Sequence, residues 1–179
     1  MIFRQPKNIK EFSQIKRLYK KAFPKCERKP FALIMKWYRA GKSDIWYFYD
    51  EEGFLGFSTT INGEREILID YFTVDEKRRC GGNGTKMIKA LLEHYYPIGV
   101  FLEIEMLDER AENYDDRVRR RKFYIAAGLE SLNTYAKLFG TDMEMLGVRC
   151  SMDYEKYRNF YLENYGKFAY DNIEDILNE

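Results

Sequence analysis

Three glycines crowd four positions in the stretch "RRCGGNGTK", as Gly81, Gly82 and Gly84. Glycine loses more backbone freedom on folding than any other residue, so such a cluster is kept where side chains would obstruct something. A glycine-rich turn between a strand and a helix bares main-chain N–H groups at the helix N-terminus. The helix dipole favours negative charge there, and the natural guest is a phosphate or diphosphate. Two familiar phosphate motifs fail. A Walker A loop ends Gly-Lys-Ser/Thr, whereas Thr85 here precedes Lys86 and the glycine spacing is wrong. A dinucleotide fingerprint needs Gly-x-Gly-x-x-Gly, and Gly82-Asn83-Gly84 is followed by Thr-Lys-Met. What remains is Arg79-Cys80-Gly81-Gly82-Asn83-Gly84, an Arg-x-x-Gly-x-Gly pattern directly downstream of Val74-Asp75.

Other reactive residue types are sparse. Cys26, Cys80 and Cys150 are far apart and lack paired metal-ligand spacing, so they read as reduced thiols of a cytosolic protein, with no metal site expected. His94, the only histidine, lies late in the helix after the glycine turn, where a cation simply suits the C-terminal dipole. Thirty basic against twenty-nine acidic side chains give a formal charge of +1, which argues against a dedicated nucleic-acid binder. No signal-like apolar run appears, and no apolar stretch approaches the roughly 20 residues a membrane span needs. The 179 residues, 45% hydrophobic, suit one domain over 1–179, and the 17% aromatic content reads as core and pocket lining.

The hydrophobic pattern supplies the elements that must position the turn. Ile2–Arg4 is a short strand. A helix follows with Asn8 as N-cap, Glu11 three residues on, and Phe12, Ile15, Leu18, Tyr19 and Phe23 at helical spacing; Pro24 ends it. A second helix starts near Pro30. "DIWYFYDEEGFLGFSTTING" then reads as strand, Asp-Glu-Glu-Gly turn, strand and an Asn62-Gly63 hairpin turn. Strand "EILIDYFTV" (Glu66–Val74) delivers the chain to the glycines. Helix Thr85–Tyr96, stopped by Pro97, is followed by strand "GVFLEIEM", a polar loop and a basic helix ending at Ala127-Gly128. Strands near Leu132–Phe139 and Met143–Cys150 flank Gly140-Thr141-Asp142, and residues 151–179 form a helical extension. The order β-α-α-β-β-β-α-β-α-β-β plus a C-terminal helix implies an α/β (α+β) domain with a mixed sheet.

The Arg-x-x-Gly-x-Gly turn, placed after the fourth strand and before an amphipathic helix, resembles the acetyl-coenzyme A signature of the GCN5-related N-acetyltransferase (GNAT) superfamily. About forty residues later, "RRRKFYIAAGLE" resembles that family's Phe-Tyr-x-x-x-Gly-Phe/Leu motif through Phe123, Tyr124, Gly128 and Leu129. The wording "EIEMLDERAENYDDRVRRRKFY" is similar to an uncharacterised bacterial subgroup. The resemblance covers residues 2–150 in element order and implies a mostly antiparallel sheet of about six or seven strands flanked by helices.

It also implies a chemistry: an amine attacks the acetyl-CoA thioester, a tetrahedral intermediate forms, and CoA thiolate leaves. By that resemblance the diphosphate would lie on Arg79, Cys80, Gly81, Gly82, Asn83, Gly84 and Thr85. The pantetheine would pair like a strand with Phe72, Thr73 and Val74, in a splayed gap beside the fifth strand. Lys77, Arg78 and Lys86 are candidates for the CoA phosphates, their alternative being plain solvation. Tyr124 would protonate the departing sulfur, since a phenol of pKa ~10 is protonated at neutral pH. Some relatives carry a glutamate base on the fourth strand; the matching position is Leu68 here. Glu105 is the first choice for a base and Asp70 the second, with a water chain as the alternative. Arg117 stands where the family often has asparagine, and Arg119-Arg120-Arg121-Lys122 reads as an exposed helix face. The acceptor would be a small-molecule or peptide amine, shaped by the first two helices, the loop Pro24–Pro30 and the last hairpin. A cytoplasmic enzyme, with homodimer pairing common in the family, is the resulting expectation; an acyl-CoA-binding regulatory module is the alternative.

Overall fold

Proline and glycine punctuation sets where most elements begin and end. The computed structural model describes residues 1–79 and 81–176. In chain order these form β1 (Ile2–Arg4), α1 (Ile9–Ala22), α2 (Phe31–Arg39), β2 (Ser43–Asp50), β3 (Gly53–Asn62), β4 (Glu66–Val74), α3 (Asn83–His94), β5 (Gly99–Glu105), α4 (Tyr114–Ala127), β6 (Glu130–Leu138), β7 (Thr141–Val148), α5 (Tyr154–Tyr165), α6 (Lys167–Tyr170) and β8 (Ile173–Glu174). The hydrogen-bonded strand order is β1-β2-β3-β4-β5-β7-β6-β8, a mixed, mostly antiparallel sheet of eight strands, one more than the upper expectation. The chain divides into two compact units, Met1–Asn62 with Ile69–Ala90, and Gly63–Leu68 with Leu91–Glu179.

In the first unit, α1 starts as its sequence dictates. The Asn8 side chain accepts from the Glu11 N–H at 3.1 Å, while Glu11 accepts from the Lys7 N–H at 2.7 Å. Glu11 also receives both arms of the Arg4 guanidinium at 2.9 Å, which ties β1 to the helix start. Ile15, Leu18 and Tyr19, spaced three and four apart, put one face of α1 into the core. They meet Ile34 of α2, Ile45 and Tyr47 of β2, Phe57 of β3 and Tyr71 of β4. β1 and β3 both pair antiparallel with β2, with a bulge at Phe48/Tyr49. Opposite that bulge is Gly56, where an added Cβ would lie 2.3 Å from the Thr73 carbonyl oxygen and 2.9 Å from Val74 Cα. Glycine is thus what lets β3 approach the last residues of β4.

In the second unit, Glu66–Leu68 pair in parallel with Gly99–Phe101 of β5. β7 lies antiparallel to both β5 and β6, and β8 adds to β6 at Lys137 and Leu138. Left-handed Gly128 (φ 107°) ends α4 and Gly140 (φ 80°) turns β6 into β7, as glycine at such positions should. Arg121 grips the buried Glu144 carboxylate at 2.8 and 3.0 Å, and that pairing holds the guanidinium above its ordinary pKa. Asp153 caps α5, and Phe160 meets Phe101 at 5.0 Å.

Several sequence expectations shift. The tail 151–179 is not only helical, because β8 follows α5 and α6. α3 begins at Asn83 and ends at His94, two residues earlier at each end than the apolar stripe suggested. β3 runs through Asn62, whose side-chain amide donates to Asp44 at 3.1 Å, so the connection to β4 is Gly63–Arg65 rather than a two-residue Asn-Gly turn. In the basic run on α4, Arg119, Arg120 and Lys122 are exposed as expected, while Arg120 also reaches Glu105 and the less exposed Arg121 holds Glu144. No helix among the described residues is long and apolar enough to cross a membrane.

The Arg4–Glu11 pair sets a pH dependence. Its guanidinium lowers the Glu11 carboxyl from 4.5 to about 2. A depressed carboxyl contributes stability that is complete above the unfolded pKa and is lost as pH falls through the folded one. Glu11→Gln is therefore expected to cost about 1 kcal/mol in urea unfolding at neutral pH, with the deficit shrinking between pH 4.5 and about 2.

Candidate active site

The first unit carries the glycine turn. β4 ends at Val74, and the Asp75 N–H donates to the Leu55 carbonyl at 2.8 Å. A short 3-10 turn, Glu76–Arg78, follows, with the Asp75 side chain accepting from the Lys77 N–H. Arg79 folds back so that its Nε donates to the Val74 carbonyl at 3.3 Å, and the Asn83 amide donates to the Arg78 carbonyl at 2.9 Å. Cys80 lies outside the described residues.

Gly81 and Gly82 adopt φ of 83° and 74°, and a Cβ built on either would meet none of the described residues within 4 Å, chain neighbours aside. These glycines are therefore required by backbone conformation, and the space above them is open. The Lys86 N–H donates to the Gly82 carbonyl at 3.0 Å, the opening bond of the α3 ladder. The N–H groups of Gly84 and Thr85 precede that bond, in the first turn, where the helix itself supplies no carbonyl four residues back. A positive dipole end beside open glycine surface is the kind of environment that favours an anionic group. Of the nearby cations, Arg78 is engaged by Asp50 at 2.6 Å and Glu52 at 3.3 Å, a pairing that lowers the Asp50 carboxyl below its usual value.

Asp70, on the same β4, pairs with the Lys29 ammonium at 2.6 Å. The loop carrying Lys29 is fastened separately. Its N–H donates to the Tyr71 hydroxyl at 3.1 Å, that hydroxyl donates to the Glu27 carbonyl at 2.8 Å, and Tyr19 donates to the Lys29 carbonyl at 2.9 Å. Burial, reinforced by the Asp70 charge, pushes the Tyr71 phenol up to about 12, so it keeps the proton it donates. Sequence reasoning flagged the loop Pro24–Pro30 and Asp70 but not Lys29 or Tyr71. Tyr71 adjoins Asp70 in "EILIDYFTV"; nothing in the sequence signalled Lys29, which is 41 residues from its partner.

The second unit holds the other expected groups. Tyr124, on the buried side of α4, is 9% exposed, and desolvation raises its phenol to about 12. Glu105, at the end of β5, pairs with Arg117 at 3.0 Å and Arg120 at 2.9 Å and accepts from the Asn113 amide at 3.3 and 3.2 Å. A carboxylate so engaged has most of its acceptor sites already filled. Glu103, on the same strand, accepts at 2.7 Å from both Tyr157 and Tyr161 of α5. Leu68, where some relatives of the resembling family have glutamate, is fully buried.

No protein-family model and no curated protein matches the sequence. Solved structures do. A protein from Bacteroides thetaiotaomicron assigned to the GNAT acetyltransferase family is 20% identical with a TM-score of 0.76, over 93% of this chain and 99% of that one. An aminoglycoside 6'-N-acetyltransferase complexed with coenzyme A is 15% identical at TM-score 0.64, over 83% and 96% of the two chains. A spermidine N-acetyltransferase from Vibrio cholerae, in complex with CoA and spermine, is 9% identical at TM-score 0.59, over 82% and 94%. The chain has the fold of these acetyltransferases.

The two ways glycine is used here separate experimentally. Gly82→Ala should cost about 1 kcal/mol of unfolding free energy, through φ alone. Gly56→Ala should cost more, about 2–3 kcal/mol, because a methyl group must displace main chain. Urea midpoints of the two variants measure the difference.

Proposed function

We propose that the chain is an acetyl-CoA-dependent N-acetyltransferase of the GNAT superfamily, moving an acetyl group to a primary amine of a small molecule or peptide. The observation that carries this reading is the strand-to-helix turn, with left-handed Gly81 and Gly82 leading directly into the N-terminus of α3, in a chain with the fold of CoA-bound acetyltransferases. Arg79 to Thr85, Cys80 among them, would receive the diphosphate, and the main chain of Phe72, Thr73 and Val74 the pantetheine. The amine attacks the thioester carbon, and the tetrahedral intermediate collapses with loss of CoA. Tyr124 donates the proton that the leaving sulfur takes; a phenol raised to about 12 by burial is protonated throughout the working pH range.

For the base, Asp70 is preferred over Glu105. Glu105 is occupied by two guanidiniums and an amide, whereas Asp70 holds an alkylammonium, the functional group of the acceptor class. The aminoglycoside and spermidine enzymes of the same fold support an amine acceptor. The reading takes 1–179 as one functional domain acting in a bacterial cytoplasm, independent of nucleic acid or membrane.

A second reading, an acyl-CoA-binding regulatory module, is favoured by buried Leu68 in place of the fourth-strand glutamate and by the engaged Glu105. CoA release with a panel of amines separates the two, because a sensor binds acetyl-CoA without turning it over. Within the enzyme reading, Tyr124→Phe should lower kcat about 100-fold or more while acetyl-CoA affinity stays within about twofold. Unchanged turnover would remove Tyr124 from the acid role. In the wild type, kcat should show no fall from loss of the phenol proton until pH approaches about 12.

A further inference from the structure

The geometry points to Lys29 as an internal occupant of the acceptor's ammonium subsite: its Nζ sits on Asp70 where a protonated acceptor amine would sit, and the acceptor must displace it. This inference rests on the acetyltransferase reading and names the specificity-determining pair within it. Three observations lead to it, all within the first unit. The Asp70 side chain is 5% exposed, so its charge requires a cationic partner, and Lys29 supplies one at 2.6 Å. Asp70 lies two residues before Phe72 on β4, and alternation along a strand puts both on one face. An ammonium docked on Asp70 therefore lies along the strand assigned to pantetheine.

The third observation concerns mobility. The Lys29 main chain is fixed by Tyr19 and Tyr71 without help from its ammonium. Only the four-carbon side chain, 28% exposed and passing with Nζ 5.1 Å from the Tyr71 ring centroid, must rotate for Nζ to leave. The loop can stay in place while the subsite changes occupant. A primary alkylammonium is thus the chemistry selected at Asp70, and the aromatic wall of Tyr71 favours cations generally.

A competing intramolecular cation raises the apparent acceptor KM by the reciprocal of the fraction of time the subsite is free, without altering the bound complex. The test is steady-state kinetics with spermidine, kanamycin and lysine amide as acceptor probes, alongside calorimetry with CoA. Lys29→Met should lower KM for the best probe about fivefold with kcat within about twofold, the size expected for releasing one partly exposed ion pair. Lys29→Arg, which keeps a cation, should retain the wild-type KM. Asp70→Asn, which also removes the proposed base, is read by calorimetric Kd of the probe: it should weaken binding, and adding Lys29→Met to it should produce no drop in that Kd. An unchanged or raised KM in Lys29→Met, or an equal drop of Kd in the Asp70→Asn background, overturns the inference. Intact CoA binding with no turnover of any probe by wild type or Lys29→Met overturns it as well. Absence of CoA binding by the folded protein overturns the underlying acetyltransferase reading instead.

Discussion

A helix that begins in a sharp turn has main-chain donors it cannot satisfy itself, and α3 begins in a turn that places two successive residues at positive φ. That constraint organises what surrounds it. Only glycine takes φ near 80° without strain, so Gly81 and Gly82 are dictated by the turn. Side chains brace the turn, with Arg79 on the Val74 carbonyl and Asn83 on the Arg78 carbonyl. β4 must deliver the chain there at a fixed level, and Gly56 permits the close approach of β3 that sets it. On the proposed function, this turn and helix start would receive the diphosphate of CoA.

Charge is placed with equal consistency. Most candidate groups are already paired: Arg78 with Asp50, Arg121 with Glu144, Glu105 with Arg117 and Arg120. Such pairs define positions more than they add stability. Asp70 differs because its partner is a flexible primary amine on a separately anchored loop. On the proposed function, an acidic group that is never left as a buried, unpaired charge, yet whose partner can give way to substrate, suits an enzyme acting on amines.

Much of the fold was legible in the sequence because it is written in local chemistry. Asn8 with Glu11 announced α1, Pro24 and Pro30 bounded the loop between helices, and Gly128 and Gly140 marked turns that the structure shows with φ of 107° and 80°. The start of α3 was misplaced because Asn83 and Gly84 are poor helix formers, yet a first turn tolerates them. β8 escaped notice since two residues carry no periodicity, and its strand character comes entirely from pairing with Lys137 and Leu138. The glycine turn could be read from its spacing; the partners of Asp70, Glu103 and Glu105 could not, because they are set by tertiary packing across many residues. That is why the sequence ranked Glu105 first, whereas the proposed function takes Asp70 first.

Calorimetric titration with CoA and with pantetheine, which lacks the diphosphate, tests the role of the bare amides most directly. The account predicts saturable binding of CoA to the folded protein, with pantetheine weaker by at least about tenfold, since hydrogen bonds to a charged group contribute about 1.5–3 kcal/mol each. Equal affinities, or no heat with CoA from protein shown to be folded, would contradict it.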